Sequence, residues 1–305
     1  MGILSWLVAC VLAGAIGSAA ASTQKEAVAL TLSPPAALRT GDAALLTVEA
    51  SHPLLTLEGE AFGRPVPFWP AKGERYWQGL LGVGLDVSAG TYDLALHAIS
   101  RQGAPVEARM PLVIDERHFE TRRLRVAERF VDPPLAESRR IAREASLLAE
   151  TFGQSDPARL WRGLFALPVA GPPTSSFGRR TVMNGEPRGQ HRGTDFRAAE
   201  GTPVWAPNAG LVALAADLYF TGNTIILDHG LGLFSVFAHL ARMTVREGTF
   251  VSRGDLVGEA GATGRVTGPH LHWAVRLGEA ALDPLSLMSA LHDVIEPSEP
   301  PTIAR

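Results

Sequence analysis

The chain has 305 residues, of which 46% are hydrophobic and 19% charged, with a formal net charge of -3. That length suits two domains of roughly 100–200 residues each. The near-neutral balance, with no Lys/Arg block of the kind such partners call for, argues against nucleic acid as a partner and against an anionic lipid surface.

Residues 1–21 are apolar or small and uncharged, and end in Ala19-Ala20-Ala21. This is the pattern of a secretory signal peptide, although no Lys or Arg precedes the apolar run. The competing reading is a retained membrane anchor, since the run approaches the roughly 20 residues that span a bilayer. Cys10, the only cysteine, sits in Leu7-Val8-Ala9-Cys10, which looks like a lipoprotein-processing site. Only nine residues precede it and apolar sequence follows, which weighs against lipidation. Cleavage after Ala21 predicts an exported protein of the periplasm or cell envelope with no cysteine, and so neither thiol catalysis nor thiolate metal ligands.

Residues 28–117 read as a β-sandwich of immunoglobulin-like type. Leu46, Val48 and Ala50 alternate with polar or small positions, as do Tyr92, Leu94, Leu96 and Ala98, and then Ala108, Met110, Leu112 and Ile114. A period of two marks half-buried strands. Pro34-Pro35, Gly41-Asp42, Gly90 and Gln102-Gly103 punctuate them. His52 and His97 are isolated in this stretch and read as structural or surface residues.

Residues 118–164 form a connector with a helix. Ile141, Ala145, Leu148 and Phe152 fall on one helical face, and Asp132-Pro133-Pro134 is a start signal. Glu137, Arg139, Arg140, Arg143 and Glu144 are expected on the solvated remainder. Residues 165–288 return to short, Gly- and Pro-rich strands, and every chemical motif lies there, which predicts a separate catalytic unit. Residues 289–305 form a tail, with Pro297, Pro300 and Pro301, expected to be flexible.

Five of the nine histidines lie between positions 191 and 272: His191, His229, His239, His270 and His272. In Gly268-Pro269-His270-Leu271-His272-Trp273-Ala274-Val275-Arg276-Leu277, strand alternation buries Leu271, Trp273, Val275 and Leu277 on one face. His270 and His272 then project together from the other. Two such imidazoles can both bind a metal, or one can bind while the other handles protons. In His191-Arg192-Gly193-Thr194-Asp195, an extended backbone puts His191 and Asp195 on one face, and Gly193 leaves the space between them clear. His239 closes the strand-like run Leu233–Leu240. Histidine and aspartate together can supply the three protein ligands of a catalytic zinc site that keeps its fourth position for water.

These motifs resemble the lysostaphin/LytM-type zinc metallopeptidases, a family of cell-wall endopeptidases. The resemblance rests on His191-x-x-x-Asp195, Ala238-His239-Leu240 and Gly268-Pro269-His270-Leu271-His272. Ser175-Ser176-Phe177-Gly178, Gly201-Thr202-Pro203-Val204, Asp228-His229-Gly230 and the segment 258–264 support it. It covers roughly residues 165–288. It implies an antiparallel sheet whose loops frame a groove, with one Zn2+ held by His191, Asp195 and His272. His239 and His270 would be unligated catalytic histidines, and His229 a structural one. Phe237 stands where the family often has Tyr, which would remove a hydroxyl near the site. The implied reaction is hydrolysis of the stem-peptide cross-links of peptidoglycan. The other reading is a catalytically silent relative that binds and activates other wall hydrolases, and in either case the N-terminal β domain is a candidate surface for a cell-envelope protein.

Overall fold

A computed structural model describes residues 28–33, 37–125 and 134–295. The signal-peptide and tail expectations at residues 1–21 and 296–305, and the helix-start signal at Asp132 and Pro133, lie outside them. The structure is mostly β, in two bodies of strands joined by a long helix.

The N-terminal body is a sandwich of two sheets. One runs Leu30–Ser33, Ala43–Ala50, Tyr76–Gly82, Phe68–Lys72 in spatial order. The other runs Leu38–Arg39, Pro105–Asp115, Gly90–Ser100, Leu54–Ala61, Arg64–Val66. The alternating residues of both sheets meet in one apolar cluster: Leu46, Val48 and Leu81 from the first face Leu54, Leu94, Leu96, Leu112 and Ile114 from the second. Period-two burial against a second sheet is what gives each strand its register.

The helix α1, Leu135–Gly153, lays Leu148 and Phe152 against Leu214, Leu218, Ile226 and Phe234 of the C-terminal sheet. Its polar residues are less free than the sequence suggests. Arg140 reaches the Asp217 carboxylate at 3.1 Å, and Glu144 accepts from the Tyr219 amide at 2.8 Å. These two side chains, expected in solvent, clamp the helix to the rim of the sheet.

The C-terminal sheet runs Pro173–Ser175, Thr194–Phe196, Leu271–Leu277, Leu233–Met243, Gly222–Asp228, Gly210–Leu218, Phe250–Val251 in spatial order, with every neighbouring pair antiparallel. Its largest buried side chains include Trp273, Phe196 and Phe237. Phe237 belongs to this core, fully buried, so the missing hydroxyl is lost from the core rather than from the face that carries the histidines.

The apolar cluster beneath this sheet does not stop at the connector. Ala43, Trp69 and Leu80 of the sandwich pack in it with Trp161, Leu282, Leu287 and Leu291. The helix α2, Pro284–Ala290, supplies Leu287 and is capped by Asp283, whose carboxylate accepts from Leu285 N. Polar contacts close the seam. Arg117 donates to Asp283 at 2.8 Å and to Asp42 at 3.3 Å. The Asp283 amide donates to the Gly41 carbonyl, and Ser286 Oγ accepts from the Ala43 amide. Among the described residues no helix is long and apolar enough to cross a membrane.

Candidate active site

Strand alternation places the first part of the site. Leu271, Trp273 and Val275 are completely buried and Leu277 nearly so, which turns His272 to the opposite face. On the neighbouring strands, Asp195 stands directly across from His272, Ala238 across from His272 on the other side, and Ser175 across from Asp195. One rung therefore reads Ser175, Asp195, His272, Ala238. The small side chains at its ends leave room around the two functional ones.

His191 comes from outside the regular sheet. The strand Glu186–Gln190 ends before it and Thr194–Phe196 begins after it, so the extended reading of His191 to Asp195 holds only at its two ends. The bend between them passes Gly193 under the His272 ring. A Cβ at Gly193 would stand 2.7 Å from His272 Cε1 and 2.7 Å from the Trp273 carbonyl oxygen. Glycine is needed because the imidazole itself occupies the space that the sequence reading left for a third atom.

His239 reaches the site through an irregularity. Plain alternation would put it on the core side with Phe237. Instead the pairing slips between Asn223↔Leu240 and Ile225↔Phe237, and His239 adopts φ +63°. A bulge of this kind re-aims a side chain at a modest backbone cost. The amide of His239 donates to the Thr221 carbonyl at 2.8 Å, which holds the strained residue in place. The loop Gly261–Gly264 packs beneath, with Gly264 at φ +74° so close to Gly222 that a Cβ would stand 2.4 Å from its nitrogen.

Five side chains converge. His191 Nε2 lies 3.0 Å from Asp195 Oδ1 and 3.0 Å from His272 Nδ1, and His272 Nδ1 lies 2.9 Å from the same carboxylate oxygen. His270 Nε2 is 3.7 Å from Asp195 Oδ1. The ring centres of His239 and His270 are 5.0 Å apart, and those of His239 and His272 5.9 Å.

Backbone carbonyls fix the tautomers, because a carbonyl can only accept. Nδ1–H of His191 donates to Ser176 O at 3.1 Å, Nδ1–H of His239 to Thr263 O at 2.9 Å, and Nδ1–H of His270 to Gly268 O at 2.8 Å. Each neutral imidazole then carries its lone pair on Nε2. Ser176, Thr263 and Gly268 are the orienting groups; they lie in the motif segments of the sequence, which gave them no such role. They act through main-chain oxygens, which leave no residue-type signature.

The consequence for the trio is electrostatic. His191, bonded through Nδ1 to Ser176 O, presents Nε2, Asp195 presents an anionic oxygen, and His272 presents Nδ1, all within 3.0 Å of one another. Acceptors this close repel unless a positive charge lies among them. A tetrahedral cation with bonds of about 2.0–2.2 Å keeps its ligand atoms roughly 3.3 Å apart, close to the spacing here. Two nitrogens and one carboxylate oxygen are also the donor set zinc prefers. These three are the group of metal-competent atoms found among the described residues.

Protonation follows the same logic. Burial pushes the Asp195 carboxyl up, but the His191 and His272 imidazoles beside it outweigh burial and hold it far below the usual carboxylate range. Burial, reinforced by His272, pushes His239 down to about 3, so it is neutral at physiological pH. Burial also lowers His272.

His229 lies apart, in the core. Its Nδ1–H donates to Ala209 O at 2.7 Å, and Ser235 Oγ, which accepts from Trp273 Nε1, lies 2.9 Å from its Nε2. Burial lowers its pKa to about 4.

With this geometry in view, comparison with known proteins is specific. Residues 189–284 match the model of peptidase family M23. The chain is 42% identical over 83 residues to peptidoglycan DD-endopeptidase ShyA of Vibrio cholerae, covering 27% of this chain and 19% of that protein. It is 41% identical over 104 residues to ShyC, another peptidoglycan DD-endopeptidase of that organism, covering 31% and 24%. The matched stretch thus spans about a fifth to a quarter of these relatives. A crystal structure from Pseudomonas aeruginosa described as an M23 peptidase superposes with a TM-score of 0.65 at 29% identity, over 83% of this chain and 95% of that one. That match takes in more than the catalytic sheet. The C-terminal part of this chain, residues 189–284, is a peptidase family M23 domain.

Proposed function

We propose that the protein is a zinc-dependent endopeptidase that hydrolyses peptide cross-links of bacterial peptidoglycan. The observation that carries this reading is the meeting of three acceptor atoms, from His191, Asp195 and His272, within 3.0 Å of one another beside two histidines with oriented lone pairs. The printed names of the Vibrio cholerae relatives support the substrate class. When bound, zinc would supply Lewis acidity, lowering the pKa of a water and polarising the scissile carbonyl.

The chain's own residues supply the proton transfers. His239 Nε2 and His270 Nε2 are acceptors, each set by a carbonyl behind it. Because burial keeps His239 neutral, it is ready to take a proton from water and later to return it to the departing amine. His270, whose Nε2 lies 3.7 Å from Asp195 Oδ1, is placed to stabilise negative charge as it develops. Export after loss of residues 1–21 would deliver the enzyme to the periplasm or cell envelope. The sandwich sheet that contains Gly90–Ser100 supplies none of the described residues of the shared apolar cluster and would offer a surface to an envelope protein.

The alternative reading, a silent activator of other wall hydrolases, calls for a damaged ligand set, and this chain retains all three ligand candidates and both accessory histidines. Zinc analysis of the purified protein combined with digestion of sacculi tests the proposal. About one zinc per chain with soluble cross-link fragments is the expected result. Zinc-loaded protein that leaves sacculi intact would favour the activator.

A further inference from the structure

The fold brings arginines from separate stretches of the sequence together. Thr121–Leu124, Arg180–Met183 and Glu186–Gln190 form a separate three-stranded sheet. The first pair is parallel, with Thr121 opposite Arg180 and Arg123 opposite Val182. Alternation therefore puts Arg123 and Arg180 on one face as diagonal neighbours. Gln190 stands opposite Arg180 on the third strand and immediately precedes His191. The main chain of His191 is itself bound into this sheet, its amide donating to the Arg179 carbonyl at 2.9 Å.

Arg122, Arg123, Arg125, Arg180 and Arg192 are all exposed. Among the described residues, Arg122, Arg123, Arg125 and Arg180 make no ion pair with a carboxylate. Arg192 shares the field of Asp86 across the seam. Against these cations the sheet and its approach offer Glu120 and Glu186. Like charges on neighbouring strands repel, and a chain of net charge -3 has carboxylates enough to spread them. Their gathering beside a proposed metal ligand fits an anionic partner that completes the charge balance. A guanidinium fork matches a carboxylate in particular.

We infer that this sheet is a substrate-docking surface, on which Arg123 and Arg180 bind the free carboxylates of peptidoglycan stem peptides and feed the cross-link toward His191. The inference deepens the proposed function and rests on it. Arg123 and Arg180 act as specificity residues, apart from the groups that hold metal or move protons.

The test is fluorescence anisotropy of the zinc-loaded protein with a dye-labelled, uncross-linked stem peptide, which has no cross-link to cut. Two forms are compared, with carboxylates free and with carboxylates amidated. The parent protein should prefer the free form and lose that preference as salt rises from about 50 to about 500 mM. The double variant Arg123→Ala/Arg180→Ala should bind the free form roughly 3- to 10-fold more weakly, with amidated-peptide binding unchanged. The double variant Arg123→Lys/Arg180→Lys, which keeps the charge, should recover most of the salt dependence. Equal binding of the two peptides by the parent, or parent-like binding by the alanine variant at unchanged zinc content, overturns the inference. So does equal affinity for an oligophosphate of the same charge, which would mark a general polyanion surface. Sacculus digestion by the same parent preparation reports on the endopeptidase reading separately. Its absence, with carboxylate-selective binding intact, would count against the activity and not against the surface.

Discussion

Both β bodies carry a histidine facing a carboxylate on the adjacent strand. In the sandwich, His97 stands opposite Glu107, with Nδ1 3.9 Å from Oε1 and side chains 56% and 79% exposed. In the C-terminal sheet, His272 stands opposite Asp195 at 2.9 Å, with side chains 16% and 17% exposed. The local pattern is the same and the chemistry is not. Water screens the first pair, and Glu58, opposite His97 on the other neighbouring strand, adds only another exposed carboxylate. The second is walled in, and His191, His270 and His239 are brought to it by a glycine bend, a strand start and a bulge. A cross-strand His–carboxylate pair becomes a candidate centre only when burial and further ligands meet on the same rung.

The comparison breaks most sharply at the ligands. His191→Ala, Asp195→Ala or His272→Ala should each take zinc from about one per chain to near zero, measured on purified protein, and remove sacculus digestion with it. Substituting His239 or His270 with Ala should spare the metal and still lower the rate by roughly 10²–10⁴-fold, read by release of soluble fragments. The two classes differ in zinc content, and that difference is what separates ligand from proton handler.

Core substitutions sharpen the contrast between the rung and its support. Leu287→Ala, in the seam shared by sandwich and catalytic sheet, should cost about 2–5 kcal/mol in urea unfolding, because the cavity opens in a cluster drawn from both bodies. A fragment of residues 160–290 would expose the same surface, so its solubility without residues 28–117 is a second gauge of that seam. His229 gives the pH dependence. Its folded pKa is near 4 against 6.5 in the unfolded chain, so the unfolded chain binds more protons between those values. The contribution is complete above about pH 6.5 and is lost as pH falls toward 4, on the order of 3 kcal/mol. Unfolding midpoints at pH 7 and 4.5 measure it, and His229→Asn, which keeps a donor for the Ala209 carbonyl, should flatten the difference. The smallest effect belongs to the exposed pair: His97→Ala should change stability by less than about 0.5 kcal/mol and leave zinc and activity untouched.

Much of this was legible in the sequence, and the reasons are local. The burial of Leu271, Trp273, Val275 and Leu277 follows from alternation alone, and with it the direction of His272. The sandwich strands at Leu46–Ala50 and Leu94–Ala98 declare themselves the same way. His239 does not, since alternation places it in the core with Phe237 and only a bulge without a glycine signal turns it round. Gly193 was legible as a needed gap, but what fills the gap is the His272 ring. Trp69 and Leu80 read as sandwich residues, and their burial against Leu282 and Leu287 depends on how two bodies meet, which no local pattern encodes. The arginine face is hidden for a similar reason, because Arg123 and Arg180 are far apart in the chain and become neighbours only through strand pairing.

Zinc analysis of purified His270→Ala and His272→Ala proteins side by side asks directly which member of the pair would hold the proposed metal. The geometry predicts about one zinc per chain in His270→Ala and close to none in His272→Ala. A zinc-free His270→Ala protein, or a fully loaded His272→Ala protein, would contradict it.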